Sequence, residues 1–417
     1  MMKRIIFIVA IIFIFFLSII SYSEQEEVKP ITIKEAIGIA LERNPDIKAA
    51  LKDYEAARAR IYRAKAFPEP ELSWEFDFQP RFFGLKDAGE RNLSISQLFE
   101  FPGRRHFRYK VAEKEALISQ AGYNVARLDL IAQVRIAFHA VLLAGEKVNY
   151  NQQNLKLSQN FLRMAQIRYE AGSVAKLEVL RARVEEAKAR NELNLAENEL
   201  DLSKAALNFL LARPMETALQ IEGKLEAQPL QPSLEELQKK AFNYRPEIIG
   251  VHHAVDGARS ALSLAKLSYA PDFGIRAGQH WASELGNTWD IEFGINLPIF
   301  FWQRQKGEVA EARAHLYSLT SVSESTKNRI GLEVKDAFLR VAALKNRIQL
   351  FQEEILVEAR EAYRIAVRSY EEGEIGNLEL LEGQRTLMEV NLSYADALFE
   401  YHVALAELEK AVGGGLL

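Results

Sequence analysis

The chain has 417 residues, 26% charged and 48% hydrophobic, a balance ordinary for one or more folded domains. Acidic residues outnumber basic ones, 57 to 53, and no basic stripe with interleaved aromatics occurs, which argues against a nucleic-acid partner. The absence of cysteine excludes disulfides, thiolate metal sites and the acylated thiol of a lipoprotein.

At the N-terminus a basic "MMKR" precedes the apolar run "IIFIVAIIFIFFLSII", and "SYS" before "EQEE" has the small residues of a cleavage site. Residues 1–23 therefore read as a signal peptide for export, with an uncleaved anchor as the alternative. No later run approaches the roughly 18 consecutive apolar residues of a membrane-spanning helix.

A helical segment is expected over 31–66. The period then changes to two. In "ELSWEFDFQ" Leu72, Trp74, Phe76 and Phe78 alternate with Ser73, Glu75, Asp77 and Gln79, and in "RNLSISQLF" Leu93 and Ile95 alternate with Asn92, Ser94 and Ser96. Strands are expected at about 71–79 and 91–99. No proline falls between Pro102 and Pro214, and the stretch is rich in Ala, Leu, Glu, Lys and Arg. That composition predicts a leg of helix over 104–171, a break at Gly172, and a shorter antiparallel leg over 177–212. At 1.5 Å per residue the long leg reaches roughly 100 Å, too long for a compact globule.

The same order then recurs: helix over 233–268, strands at about 272–281 and 288–297, a long leg over 305–372, a break at Gly373 and a short leg over 377–412. "RYEAGSVAKLEVL" (168–180) and "SYEEGEIGNLELL" (369–381) share Tyr169/Tyr370, Gly172/Gly373, Leu177/Leu378 and three further identities at one offset of 201 residues. Ala40, Pro45, Ala57, Arg58, Ala64, Lys65 and Pro70 recur at the same offset. The chain is thus a duplicated unit, 24–230 and 231–417, joined near "QPLQPS". In the short legs Leu193, Ala196, Leu200, Ser203, Leu207 and Leu210, and 201 residues later Tyr394, Ala397, Tyr401, Ala404, Leu408 and Ala411, repeat at spacings of three and four, a coiled-coil seam.

All four strands are apolar on one face and polar on the other. Trp74, Phe76, Ile95, Phe273, Ile275, Trp289, Ile291 and Phe293 are expected to face lipid. Glu75, Asp77, Arg276, His280, Asp290 and Glu292 are expected to face a lumen, as in a membrane β-barrel. A soluble sheet would need a partner for the large rings, and the helices already spend their apolar faces on their own seams. Four strands cannot close a barrel, so the chain must oligomerise: two copies give 8 strands and a filled barrel, three give 12 and a hydrated lumen. An exported coiled-coil scaffold anchored by strands is the other reading, and the lumen charges argue against it. His252 and His253 are adjacent on a helix and diverge, a poor metal geometry. No nucleophile and base pair, phosphate loop or metal spacing appears, so neither enzyme activity nor a cofactor is expected.

The arrangement resembles the TolC family of outer-membrane efflux ducts: two tandem halves, each helix, two strands, long helix, tip, helix. "ITIKEAIGIALERNPDIKAA" is similar to that family's opening helix, and the paired Tyr-x-x-Gly…Glu-x-x-Leu phrases stand where its periplasmic tips fall. The resemblance implies a mainly α protein with a transmembrane β part, a homotrimer in the outer membrane with a 12-stranded barrel and a long α-helical barrel across the periplasm. It implies an adaptor docked on tips that include Tyr169, Gly172, Leu177, Tyr370, Gly373 and Leu378, and beyond it an inner-membrane pump. "FEFPGRRHFR" (99–108) looks like a turn frequent in the heavy-metal-export branch; the alternative is a plain strand-to-helix turn with Arg104 and Arg105 as solvated bases. Glu379 and Glu382, three apart at the start of the last helix, match acidic positions that ring the periplasmic entrance. Ile375 stands where some members carry an arginine that helps tie the closed state.

Overall fold

The structure is a computed structural model that describes residues 29–79, 81–83, 85, 88–227, 232–282 and 286–415. The expected signal peptide and the join at 230/231 lie outside these residues. The chain opens with α1 (Ile33–Arg43) and α2 (Pro45–Lys65), then β1 (Glu71–Asp77), β2 (Glu90–Phe99), α3 (Arg104–Glu170) and α4 (Lys176–Leu210). The order repeats as α5 (Leu234–Tyr244), α6 (Pro246–Lys266), β3 (Asp272–Ala282), β4 (Gly286–Asn296), α7 (Arg304–Leu350), a π-helical turn (Phe351–Ile355), α8 (Leu356–Glu372) and α9 (Asn377–Val412).

The repetition extends to single hydrogen bonds. Thr32 caps α1 in a capping box with Glu35, and Ser233 caps α5 in the same way with Glu236, each pair 201 residues from its counterpart. Each opening segment, expected as one helix, is two. Pro45 and Pro246 offer no N–H to a preceding turn, so the helix stops and a new one starts with proline in its first position. Asn44 fills the first gap, accepting from the Asp46 and Ile47 amides and donating to Leu210 O at 3.2 Å. Arg245 fills the second, donating to Ala411 O at 3.2 Å and pairing with Glu247 and Glu333. These links tie the opening helices of each half to the end of its short leg.

One helix, α3, runs unbroken for 67 residues, about 100 Å. It contains an apolar window long enough by length and composition to cross a membrane. The apolar side chains Leu130, Val134, Phe138 and Val141 along this helix are instead buried with Ala36, Ala40, Ile47 and Leu207, forming the core of the first half. The core of the second half joins Leu237, Ile330, Val334, Val341, Tyr401, Leu405 and Leu408. Among the expected seam residues, Ala196, Leu207, Ala397, Tyr401, Ala404, Leu408 and Ala411 are buried, so the three-and-four spacing marks the packed stripe. Against α3 lies α6, where a Cβ on Gly250 would meet the Ala121 side chain at 3.1 Å. Ion pairs Lys114–Asp256 (3.0 Å), Arg135–Glu409 (3.0 Å) and Lys410–Asp129 (2.7 Å) bind the first half to the second.

The four strands form a single antiparallel sheet in the order β1-β2-β3-β4, with β2 and β3 joining the halves. The first strand ends at Asp77 and not at Gln79, because Phe78 adopts a positive φ of 54° and leaves the ladder.

Candidate functional site: strand faces, junction and tips

Residues opposite one another in an antiparallel ladder share a face. The register pairs Trp74 with Leu93, Phe76 with Arg91, Leu72 with Ile95, Ile95 with Ala277, Phe273 with Ile295, Ile275 with Phe293, Ala277 with Ile291 and Gln279 with Trp289. Trp74, Phe76, Ile95, Phe273, Ile275, Trp289, Ile291 and Phe293 thus lie on one face, where the polar Arg91 and Gln97 stand toward the two ends of β2. Trp289 and Phe293 are each 76% exposed, so nothing among the described residues covers them. Phe76 is half-buried against Trp74, the ring centroids 5.2 Å apart.

Glu75, Asp77, Arg276, His280, Asp290 and Glu292 share the opposite face. Their contacts there are loose: His280 Nε2 to Glu90 at 3.4 Å, Arg276 to Glu292 at 3.9 Å, and Asn92 donating to Glu75 at 3.3 Å. This face is also crowded at its centre. Ser73 and Ser94 hydroxyls meet at 2.8 Å, and a Cβ on Gly278 would come within 3.1 Å of Asn92 and Ser94. Small residues where side chains converge are what the concave side of a curling sheet requires. Among the described residues both outer strands, β1 and β4, keep an open edge.

Where the sheet meets the helices, "PGRRHFR" is mostly structural. Gly103, with φ 101°, turns the chain into α3. Arg104 pairs with Asp272 and donates to Leu267 O (3.0 Å) and Ala270 O (2.8 Å), while Asp272 also accepts from the Phe101 amide at 2.9 Å. Arg108 pairs with Glu100 and donates to Ala64 O and Ala66 O, each at 3.1 Å. The expectation that Arg104 is a solvated base is therefore overturned: a guanidinium has enough donors to lock the α6 to β3 connection, and this one does. Arg105 is exposed, as expected.

At the far end the helical hairpins α3–α4 and α8–α9 turn at Gly172 (φ 70°) and Gly373 (φ 80°). Both glycines face open space, so only backbone conformation restricts them. The hairpins share a small core of Phe161, Ala165, Val179, Ala182, Tyr370, Leu380 and Leu381, against which Ile375 packs. Tyr370, expected at the docking tip, is only 3% exposed and lies under the Arg168 guanidinium, 4.4 Å from its ring centroid, so within one protomer it is a member of the tip core. Its counterpart Tyr169 is 44% exposed, and Leu177 and Leu378 are exposed at 53% and 65%. Contacts between the hairpins that no sequence period signals are Asn377 to Glu178, Gln384 to Asn154 (2.7 Å) and Arg385 to Glu185 (2.6 Å). Burial raises the Glu185 carboxyl, and the hydrogen bonds from Arg385 and Lys188 outweigh it and hold it below the usual carboxylate range. Glu379 and Glu382 are exposed on the first turns of α9, and the Arg385 pKa is raised by its hydrogen bond to Glu185, against burial, and then by the charges of Glu185 and Glu382. Among the described residues no group of three or more His, Asp or Glu could hold a metal ion.

The outer membrane efflux protein family matches the chain twice, over residues 36–213 and 237–414. The cobalt-zinc-cadmium resistance protein CzcC of Cupriavidus metallidurans is 25% identical over 95% of this chain and 93% of its own. A toluene efflux pump outer membrane protein, TtgF of Pseudomonas putida, is 24% identical over 92% of this chain and 83% of its own. The crystal structure of CusC superposes with a TM-score of 0.79 at 20% identity, covering 95% of both chains. With both halves of the duplication matched and the fold shared from strands to tips, the chain belongs to the outer membrane efflux protein family.

Proposed function

We propose that the protein is the outer-membrane exit duct of a tripartite efflux system, a homotrimer that passively conducts metal cations or drugs. Substrate would pass from a periplasmic adaptor, fed by an inner-membrane pump, to the exterior. The observation that carries this reading is the sheet: four strands with one apolar face, one crowded polar face and two open edges, attached to a helical rod about 100 Å long. An open edge in lipid leaves backbone groups unpaired, and pairing β1 of one copy with β4 of the next closes three copies into a 12-stranded barrel with the polar face inward. Residues 1–23 would act as the export signal, and the two repeats, 24–230 and 231–417, would each supply one tip per protomer. Tyr169, Gly172, Leu177, Gly373 and Leu378 would form the adaptor surface. One relative is named for cobalt-zinc-cadmium resistance and another for toluene efflux, which supports efflux while leaving the substrate class to be identified.

Two measurements test the reading. The detergent-extracted protein should have the mass of a trimer by light scattering once bound detergent is subtracted; a monomer or dimer would remove the conduit. A deletion strain should lose resistance to metals, or to dyes and bile-like detergents, and the growth pattern would identify the substrate class.

A further inference from the structure

Three arginines stand in "GRRHFR", and the fold occupies two of them: Arg104 with Asp272 and Arg108 with Glu100. Arg105 has no carboxylate partner among the described residues. Its guanidinium lies 3.9 Å over the Phe67 ring, at the wall of a cavity of about 360 Å3 that Phe99, Phe101 and His106 also line. Glu100, the one acid in that wall, is already paired with Arg108, so the cavity carries uncompensated positive charge. Phe99 pairs with Phe273 across the ladder, so the rings of the cavity continue the apolar face of the sheet.

At the same offset the second half carries a looser counterpart, identical at one position of seven. "FEFPGRR" (99–105) and "FFWQRQK" (300–306) align Phe99 with Phe300, Phe101 with Trp302 and Arg105 with Lys306. Phe300 and Trp302 are 61% and 55% exposed, and Lys306 is exposed and in no ion pair among the described residues. Each junction between sheet and helix therefore presents exposed rings and, at the start of the long helix that follows, a cation in no ion pair among the described residues. Aromatic rings favour the headgroup level of a bilayer, and a cation beside them attracts anionic lipid.

We infer that the two junctions of each protomer bind the phosphate headgroup of an anionic glycerophospholipid in the periplasmic leaflet, with Arg105 and Lys306 as the headgroup cations. The rings at each junction hold the upper acyl chain, so that six such lipids would collar a trimer. The inference rests on the outer-membrane placement of the sheet. It also gives the exposed cations a role that pairing within the fold does not.

The full-length protein, reconstituted in phosphatidylcholine vesicles with a minority of phosphatidylglycerol, is floated, re-extracted in mild detergent and weighed by native mass spectrometry. Phosphatidylglycerol should be retained above its share of the vesicle. Arg105→Gln or Lys306→Gln should each weaken its own junction roughly fivefold, the effect of about one headgroup cation, so each single variant loses up to about half of the enrichment and the double variant most of it. Arg368→Gln, a change of an exposed arginine near the tip, should leave it intact. Equal retention of both lipids, enrichment unchanged in the double variant, or release of the lipid by inorganic phosphate would overturn the inference while flotation still supports the membrane reading. Failure of the unaltered protein to float would remove both.

Discussion

His139 of α3 and His402 of α9 stack at 3.9 Å with an interplanar angle of 13°, where the first half packs on the second. His139 contacts the Arg135 carbonyl through Nδ1 at 2.8 Å, and His402 Nε2 is buried with no hydrogen-bond partner among the described residues. Arg135 and Glu409 pair beside them, and the Glu226 main chain hydrogen-bonds His402. Burial, and then the charge of the neighbouring ring, push His139 from the ordinary 6.5 down to about 4; burial also lowers His402. The folded protein thus keeps His139 neutral while the unfolded chain takes up a proton near 6.5. Between about 6.5 and 4 the unfolded state binds more protons, so stability is full above this window and falls as pH drops through it. For His139 alone the loss is on the order of 3 kcal/mol. The thermal midpoint of the extracted protein should therefore fall on acidification from neutral pH to about pH 4.5, and His139→Gln should shrink that fall. A variant with the full drop would locate the acid sensitivity elsewhere. This pair was invisible in the sequence, because two histidines 263 positions apart fit neither the repeat of 201 nor any metal spacing. Arg104 was misread for a related reason: a sequence shows a charge but not the carbonyls that collect around it.

At the scale of elements, period and punctuation carried most of what could be read. Alternation in β3 and β4 located both strands and divided their residues between faces, since a strand has only two. Proline at 45 and 246 was equally plain in the sequence, yet each opening segment was expected to run on, and the structure breaks both there. The π turn at Phe351–Ile355 interrupts the second long leg, with Phe351 buried against Tyr394 at 6.0 Å. A single widened turn leaves the average helical period almost unchanged, which is why no pattern announces it. The face assignment is open to a direct test. Phe293→Arg should hinder membrane assembly by about 2–4 kcal/mol near the bilayer midplane, while Asn296→Arg on the other face should be tolerated. Equal defects in heat-modifiable trimer on gels would mean the faces are exchanged or that neither meets lipid. The tip glycines belong to the same scale. Gly373 faces open space, so Gly373→Val costs only its left-handed backbone, about 1 kcal/mol or somewhat more for a β-branched residue. Crosslinking to the adaptor should therefore suffer more than folding, and unchanged crosslinking and export would place docking elsewhere.

For the whole molecule the decisive quantity is what three tips bring together. Within one protomer Glu379 and Glu382 are exposed side chains on the opening turns of α9, each worth a few tenths of a kcal/mol at most to its helix. Threefold symmetry would gather six such carboxylates around one axis, where mutual repulsion and attraction for cations follow from Coulomb's law in a narrow, partly desolvated space. The structure adds a counterweight that sequence spacing did not suggest. Arg385, one turn beyond Glu382, reaches across to Glu185 of the other hairpin at 2.6 Å, so its charge is shared between the two acids. Glu379 has no ion-pair partner among the described residues, and Ile375 packs into the tip core. Of the two acids Glu379 should therefore contribute more to the field at the mouth. In planar bilayers Glu379→Gln should weaken cation preference and block by divalent cations added on the periplasmic side more than Glu382→Gln does, with the double variant weakest. Arg385→Gln should act in the opposite sense, strengthening block by freeing Glu382, unless loss of the Glu185 link lets the mouth widen, which a rise in single-channel conductance would reveal. Selectivity and block unchanged in the double glutamine variant would rule out an acidic ring at the periplasmic entrance.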